Sequence, residues 1–159
     1  MNKKIWYAPN GFEAYGEEEI KAVEECLRDG WLAGFGKRSV EFENRIADIF
    51  GKKYAVFVNS GSSACLLAIA ALDLPPGAEI ITPACTFSTT LAPIIQLGYT
   101  PVFCDVGLNT YVPSVRNIIK KITDKTKAIM VPNLIGNKPD WGVLRETIQS
   151  MGRADIYLI

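Results

Sequence analysis

A layered α/β domain built on a mostly parallel sheet is the fold this sequence predicts, and three observations predict it. Short, continuous apolar runs recur along the chain, the pattern of strands covered on both faces. Between them lie stretches long enough for helices, which parallel strands need as right-handed crossovers. Breakers such as Pro75-Pro76-Gly77 and Gly98 punctuate the two kinds of segment.

Two helices come first. Residues 16–30 are predicted helical because Ile20, Val23 and Leu27 recur at i, i+3 and i+7, and Gly30 is placed to end the helix. A glycine-rich connection, GWLAGFGKRS, leads to a second helix with Ser39 as its cap and with Phe42, Ile46, Ile49 and Phe50 on one face. Gly51 stops it. Residues 1–50 are therefore read as an N-terminal helical segment and 51–159 as the first part of the α/β domain.

From there strands and helices alternate. Residues 54–58 (YAVFV) form the first predicted strand, and the alanine- and leucine-rich residues 62–72 a helix. Residues 79–82 (EIIT), 101–105 (PVFCD), 128–131 (AIMV) and 155–159 (DIYLI) supply four more strands. Helices are predicted over 88–97, 114–122 and 141–151. No covering helix follows the apolar strand DIYLI, so the chain is expected to be interrupted there, a short edge strand at a genuine terminus being the alternative.

Composition removes several function classes. Lys+Arg and Asp+Glu both number 17, so electrostatics give no reason to expect nucleic acid or an anionic membrane as partner. No apolar run approaches the roughly 18 to 20 residues of a membrane span. The opening MNKKIWYAPNGFEAYGEEE has no apolar h-region, which makes a cytoplasmic location the expectation. Histidine is absent, so these residues hold no Ser-His-Asp triad, no HExxH zinc site and no imidazole base. Cys26, Cys65, Cys85 and Cys104 form no CxxC pair, and the last three, set in apolar stretches, are expected to be buried and inert.

Two segments carry chemistry. Asn59-Ser60-Gly61-Ser62-Ser63-Ala64 lies between a predicted strand and a helix, where a glycine turn, outward amides and two hydroxyls suit a phosphate dianion. It is neither a Walker A loop, for want of a lysine, nor a GxGxxG fingerprint; simple capping of a helix by Ser60 or Ser62 is the alternative. Thr82-Pro83-Ala84-Cys85-Thr86-Phe87 follows the second strand, at the edge where parallel sheets bind ligands. Phe87 is placed there to lie against a planar cofactor, or else to fill the core.

The phrases GWLAGFGKRSVEFENRIADIFG, YAVFVNSGSSACLLAIAAL, PGAEIITPACTFSTTLAPIIQLG, PVFCDV and DKTKAIM, in that order, resemble the motifs of the DegT/DnrJ/EryC1/StrS group. The resemblance runs from about Gly11 to the end of the chain. It implies the large domain of a fold-type I pyridoxal-phosphate (PLP) enzyme, truncated before the Schiff-base region. Gly61, Ser62 and Ser63 match the loop that grips the cofactor phosphate, and Phe87 matches the aromatic that stacks on the pyridine ring. The acid that pairs with the pyridinium nitrogen and the Schiff-base lysine would both lie beyond Ile159. No catalytic residue is therefore expected in this chain, which by itself is expected to be inactive.

The resemblance further implies a homodimer, with the connection from Gly30 to Gly36 near the active site at the dimer boundary. Trp31 and Phe35 are placed there, or else serve only in packing. Where many members of the group carry a VHxxG-like histidine, this sequence reads Val131-Pro132-Asn133-Leu134-Ile135-Gly136-Asn137. Asn133 would then stand near the cofactor, able to hydrogen-bond but not to titrate; a turn asparagine is the alternative.

The first expectation for function is amino transfer, with pyridoxamine phosphate as the intermediate form of the cofactor. Glutamate would be the amino donor and a nucleotide-linked keto-sugar the acceptor, in polysaccharide, lipopolysaccharide or deoxyaminosugar biosynthesis. GSSACLLA, TTLAPIIQLG and LIGNKPD also resemble a branch that removes the 3-hydroxyl of such a sugar, which makes a 3-dehydratase the alternative. A non-catalytic fragment is a third reading.

Overall fold

The computed structural model describes residues 16–31 and 35–159, in two compact units that divide between Phe57 and Val58. The first unit holds two helices, α1 (Glu17–Asp29) and α2 (Lys37–Ile49). Gly30 ends α1 in the left-handed conformation that glycine adopts without strain, as the sequence predicts. The cap of α2 is Gly36 rather than Ser39, which lies inside the first turn, so the helix starts earlier than a hydroxyl-based rule places it.

Residues 54–58 form no strand, contrary to expectation. Tyr54, Val56 and Phe57 are exposed, and the Phe57 amide donates to the Glu43 carboxylate at 2.7 Å. An apolar run predicts a wish to be buried; a strand also needs a neighbour's amides and carbonyls, and this backbone bonds to a side chain instead.

The second unit is the α/β layer. Its elements in chain order are α3 (Gly61–Ala70), β1 (Glu79–Pro83), α4 (Ser88–Gln96), β2 (Thr100–Cys104), α5 (Val115–Ile119), β3 (Thr126–Ile129), a short 3-10 turn (Leu134–Gly136), α6 (Trp141–Ser150) and β4 (Tyr157–Leu158). The four strands are parallel in the order β2-β1-β3-β4. The last predicted strand is the shortest observed, only two residues long.

Pleating assigns the helices to faces. Ile80, Ala128 and Met130 share one buried cluster with Ile69 of α3, Leu74 and Ile94 of α4. Their chain neighbours Ile81, Ile129 and Val131 share the other with Ile118 of α5 and Leu144 and Ile148 of α6. Successive strand side chains point to opposite faces, so one sheet serves two cores. Each fully buried leucine or isoleucine contributes about 1.5–3 kcal/mol relative to exposure.

The strand order positions the site. From β1 the chain moves to β2 on one side, then returns to place β3 on the other. Right-handed crossovers in opposite directions put α4 on one face and α5 and α6 on the other, and they leave a switch point between β1 and β3.

Candidate active site

Three segments reach the carboxyl edge of this sheet. Phe87 lies just past β1 and Asn133 just past β3, the two strands that flank the switch point. The third is the start of α3. That helix leads through Leu74 and Gly77 into the first residue of β1, so its last turn is near the amino edge of the sheet and its first turn is at the opposite, carboxyl edge. The structure therefore brings Gly61, Ser62, Ser63, Phe87 and Asn133 to one edge of one unit.

The start of α3 is built for an anion. Ser60 is its cap, and the Ser60 hydroxyl oxygen accepts the Ser63 amide at 3.1 Å. The Ala64 amide donates to the Ser60 carbonyl at 3.0 Å. Among the described residues the Gly61 and Ser62 amides have no partner, as the first amides of a helix must. The Ser60 hydroxyl also donates to Ser63 Oγ at 3.1 Å, which leaves the Ser63 proton to donate elsewhere. Ser60 therefore caps the helix, as the capping alternative expects, and the Ser62 hydroxyl makes no hydrogen bond among the described residues.

Gly61 is not a turn glycine as predicted. Its φ lies outside the left-handed region, and a Cβ built on it would meet nothing within 4 Å. Neither backbone strain nor crowding within the described chain requires a glycine here. The space beside the Gly61 Cα is open among the described residues, so a group can approach the backbone there, as a phosphate at a helix start does. The donor set and the open approach fit the phosphate of PLP.

Phe87 is the N-cap residue of α4 and is 71% exposed, so its ring is not core. Thr90, one turn on, is buried and accepts the Thr86 hydroxyl at 3.0 Å, which fixes the backbone that carries Phe87. Cys85, in the same loop, is exposed; the expectation that it is buried fails because the loop has left the strand before reaching it. Cys104, at the end of β2, is buried, and burial pushes its thiol pKa up, keeping it protonated and unreactive.

Asn133 opens the turn after β3. Its Oδ1 accepts the Trp141 indole N–H at 3.4 Å. Ile135, inside that turn, is left-handed at φ 56, a conformation a β-branched residue rarely adopts. Sequence reasoning gave no sign of the Trp141 contact. Trp141 carries no motif signal, because its role depends on a fold that returns α6 to the edge of β3. Thr82, which opens the second segment singled out in the sequence, lies one residue before the end of β1 and is fully buried with no hydrogen-bond partner for Oγ1 among the described residues. Trp31 and Phe35 belong to the first unit; both are exposed, and the residues between them at 32–34 lie outside the described residues. Among the described residues no cluster of potential ligands could hold a metal ion, and no helix is long and apolar enough to cross a membrane.

The model of the DegT/DnrJ/EryC1/StrS aminotransferase family matches residues 13–156. The chain belongs to this family. Relatives include the spore coat polysaccharide biosynthesis protein SpsC of Bacillus subtilis, 36% identical over 96% of this chain and 39% of that protein. The solved structure of Escherichia coli GDP-4-keto-6-deoxy-D-mannose 3-dehydratase with bound hydrated PLP superposes with a TM-score of 0.82 at 37% identity, covering 91% of this chain and 38% of that one. An aminotransferase from Psychrobacter cryohalolentis gives a TM-score of 0.82 at 27% identity, covering 95% of this chain and 37% of that one. The chain thus spans about two fifths of the length of the family members it matches. The parallel sheet with helices on both faces is the fold these PLP enzymes share with it.

Proposed function

We propose that this chain is the phosphate-gripping part of a PLP-dependent enzyme that acts on a nucleotide-linked keto-sugar. The observation that carries this reading is the helix start at Gly61, with two free amides and two serine hydroxyls, on the same sheet edge as the exposed ring of Phe87. Gly61, Ser62 and Ser63 hold the phosphate and Phe87 lies against the pyridine ring. Asn133 supplies a hydrogen bond beside them. When bound, the cofactor supplies an electron sink for bonds at the carbon attached to its nitrogen. The chain's own residues bind it and orient it.

Two reactions fit a site of this kind. The first is amino transfer to the keto carbon, with glutamate as donor and pyridoxamine phosphate as the form that carries nitrogen. The second is loss of the 3-hydroxyl from a 4-keto-sugar. The likenesses favour the second: at the same TM-score of 0.82, this chain is 37% identical to the dehydratase and 27% to the aminotransferase. The residues of the family that separate the two reactions are expected beyond Ile159. A homodimer that completes the site from its partner, in the cytoplasm, belongs to the same reading.

The test is to incubate the full-length protein with PLP, glutamate and a nucleotide-linked 4-keto-6-deoxy-hexose and to weigh the sugar product. A product that has gained nitrogen supports amino transfer. One that has lost the C3 oxygen without keeping nitrogen supports dehydration. A protein that takes up no PLP sinks both.

A further inference from the structure

The turn after β3 holds its asparagine by a contact that comes from another element. Trp141 Nε1–H reaches Asn133 Oδ1 at 3.4 Å across eight residues of chain. An indole N–H donates and cannot accept, so the amide oxygen must be the atom that faces Trp141. The Nδ2 group is thereby turned away from the indole, and no hydrogen bond among the described residues uses its two donors.

Both ends of this contact are held. Trp141 opens α6 beside its cap Asp140, whose Oδ1 accepts the Val143 amide at 3.0 Å. Its ring packs against the cluster that includes Ile81, Ile129 and Leu144. On the other side, the Gly136 amide donates to the Asn133 carbonyl at 3.1 Å and the Asn137 amide to the Leu134 carbonyl at 3.0 Å, closing the turn around the left-handed Ile135. A carboxamide on an exposed turn ordinarily samples several rotamers and both flips of its amide. Here one rotamer and one flip are selected by a donor anchored in the core.

We propose that Trp141 is a positioning residue: it fixes the Asn133 carboxamide so that Nδ2 offers its donors to an acceptor oxygen of the ligand at the switch point. The inference rests on the reading that this edge holds the cofactor and its sugar. The acceptor oxygen belongs to one or the other, and the experiment separates them.

In the full-length protein, Trp141→Phe keeps the packing and removes the N–H, whereas Asn133→Asp keeps the oxygen that Trp141 needs and removes the donors. Each is expected to weaken one constant by about three- to tenfold, the size of one net hydrogen bond. A change in the dissociation constant of PLP assigns the acceptor to the cofactor, and a change confined to the KM of the nucleotide-linked sugar assigns it to the substrate. In an Asn133→Ala background, Trp141→Phe is expected to cost nothing further, because the indole acts only through the amide. Nitrogen-15 NMR gives a readout independent of activity: Trp141→Phe should shift the Asn133 side-chain amide signals. Equal losses from Trp141→Phe in both backgrounds would reduce Trp141 to packing and overturn the proposal. So would unchanged constants in all variants; with shifted amide signals, that result removes Asn133 from the site but leaves the hydrogen bond standing. A protein that binds no PLP in any variant overturns the proposed function, and this inference with it.

Discussion

Ser60 and Ser63 are joined twice: the Ser60 oxygen accepts the Ser63 amide at 3.1 Å, and the Ser60 hydroxyl donates to Ser63 Oγ at 3.1 Å. One serine thereby secures the helix start while the other keeps a proton to give. Ser60→Ala should destabilise by about 1 kcal/mol, the usual worth of an N-cap, and Ser60→Asp should restore most of it. Urea midpoints of the three proteins check this. Equal midpoints would mean that the cap carries no energy.

Gly61→Ala separates folding from binding. With no neighbour within 4 Å of the new methyl and no left-handed φ, stability should hold or rise by up to about 1 kcal/mol. PLP binding should weaken, because the methyl occupies the approach to the free amides. Titration of the cofactor is the measurement, and an unchanged affinity would show that nothing approaches the backbone there.

Phe87 and Leu144 should give opposite results. Phe87 is 71% exposed and Leu144 is 0% exposed in the cluster with Ile81, Ile118 and Ile129. Phe87→Ala should change stability by less than about 0.5 kcal/mol yet loosen the cofactor, whereas Leu144→Ala should cost about 2–5 kcal/mol. A large stability loss from Phe87→Ala would return that ring to the core.

Thr82→Val replaces a buried hydroxyl that has no partner among the described residues with a methyl of nearly the same shape. A gain of about 1 kcal/mol is expected, since an unpaired buried hydroxyl costs roughly 1–3 kcal/mol. If the variant is instead less stable, the hydroxyl has a partner in solution.

Asp155 gives a pH signature. Arg153 donates to it at 2.9 Å and Lys127 also at 2.9 Å, and together they hold its carboxyl well below the usual carboxylate range. A depressed carboxylate contributes stability that is fully present above its unfolded value of about 4 and is lost as pH falls toward the folded one. Asp155→Asn should therefore lower the urea midpoint at pH 7, and the gap to the parent should narrow as pH drops below about 4. A gap that does not change with pH would assign the loss to something other than this charge.

Much of the α/β unit was legible in the sequence because its signals are local. Helices predicted over 62–72, 88–97 and 141–151 and strands predicted over 79–82, 101–105 and 128–131 each overlap an observed element, the last starting two residues late, because apolar runs, caps and breakers are all carried by neighbours in the chain. The placing of Gly61, Ser62, Ser63 and Phe87 just past strand ends or at a helix start was legible for the same reason, together with the rule that ligands sit past the ends of parallel strands. Residues 54–58 failed because apolarity does not say whether a partner strand is there to pair with, and Cys85 failed because a loop can carry a residue out of an apolar stretch. Strand order, which sets the switch point between β1 and β3, and the reach of Trp141 to Asn133 were decided only by tertiary structure. Both depend on which segments meet after the chain has crossed the sheet, and no local pattern encodes a meeting between residues that the fold alone brings together.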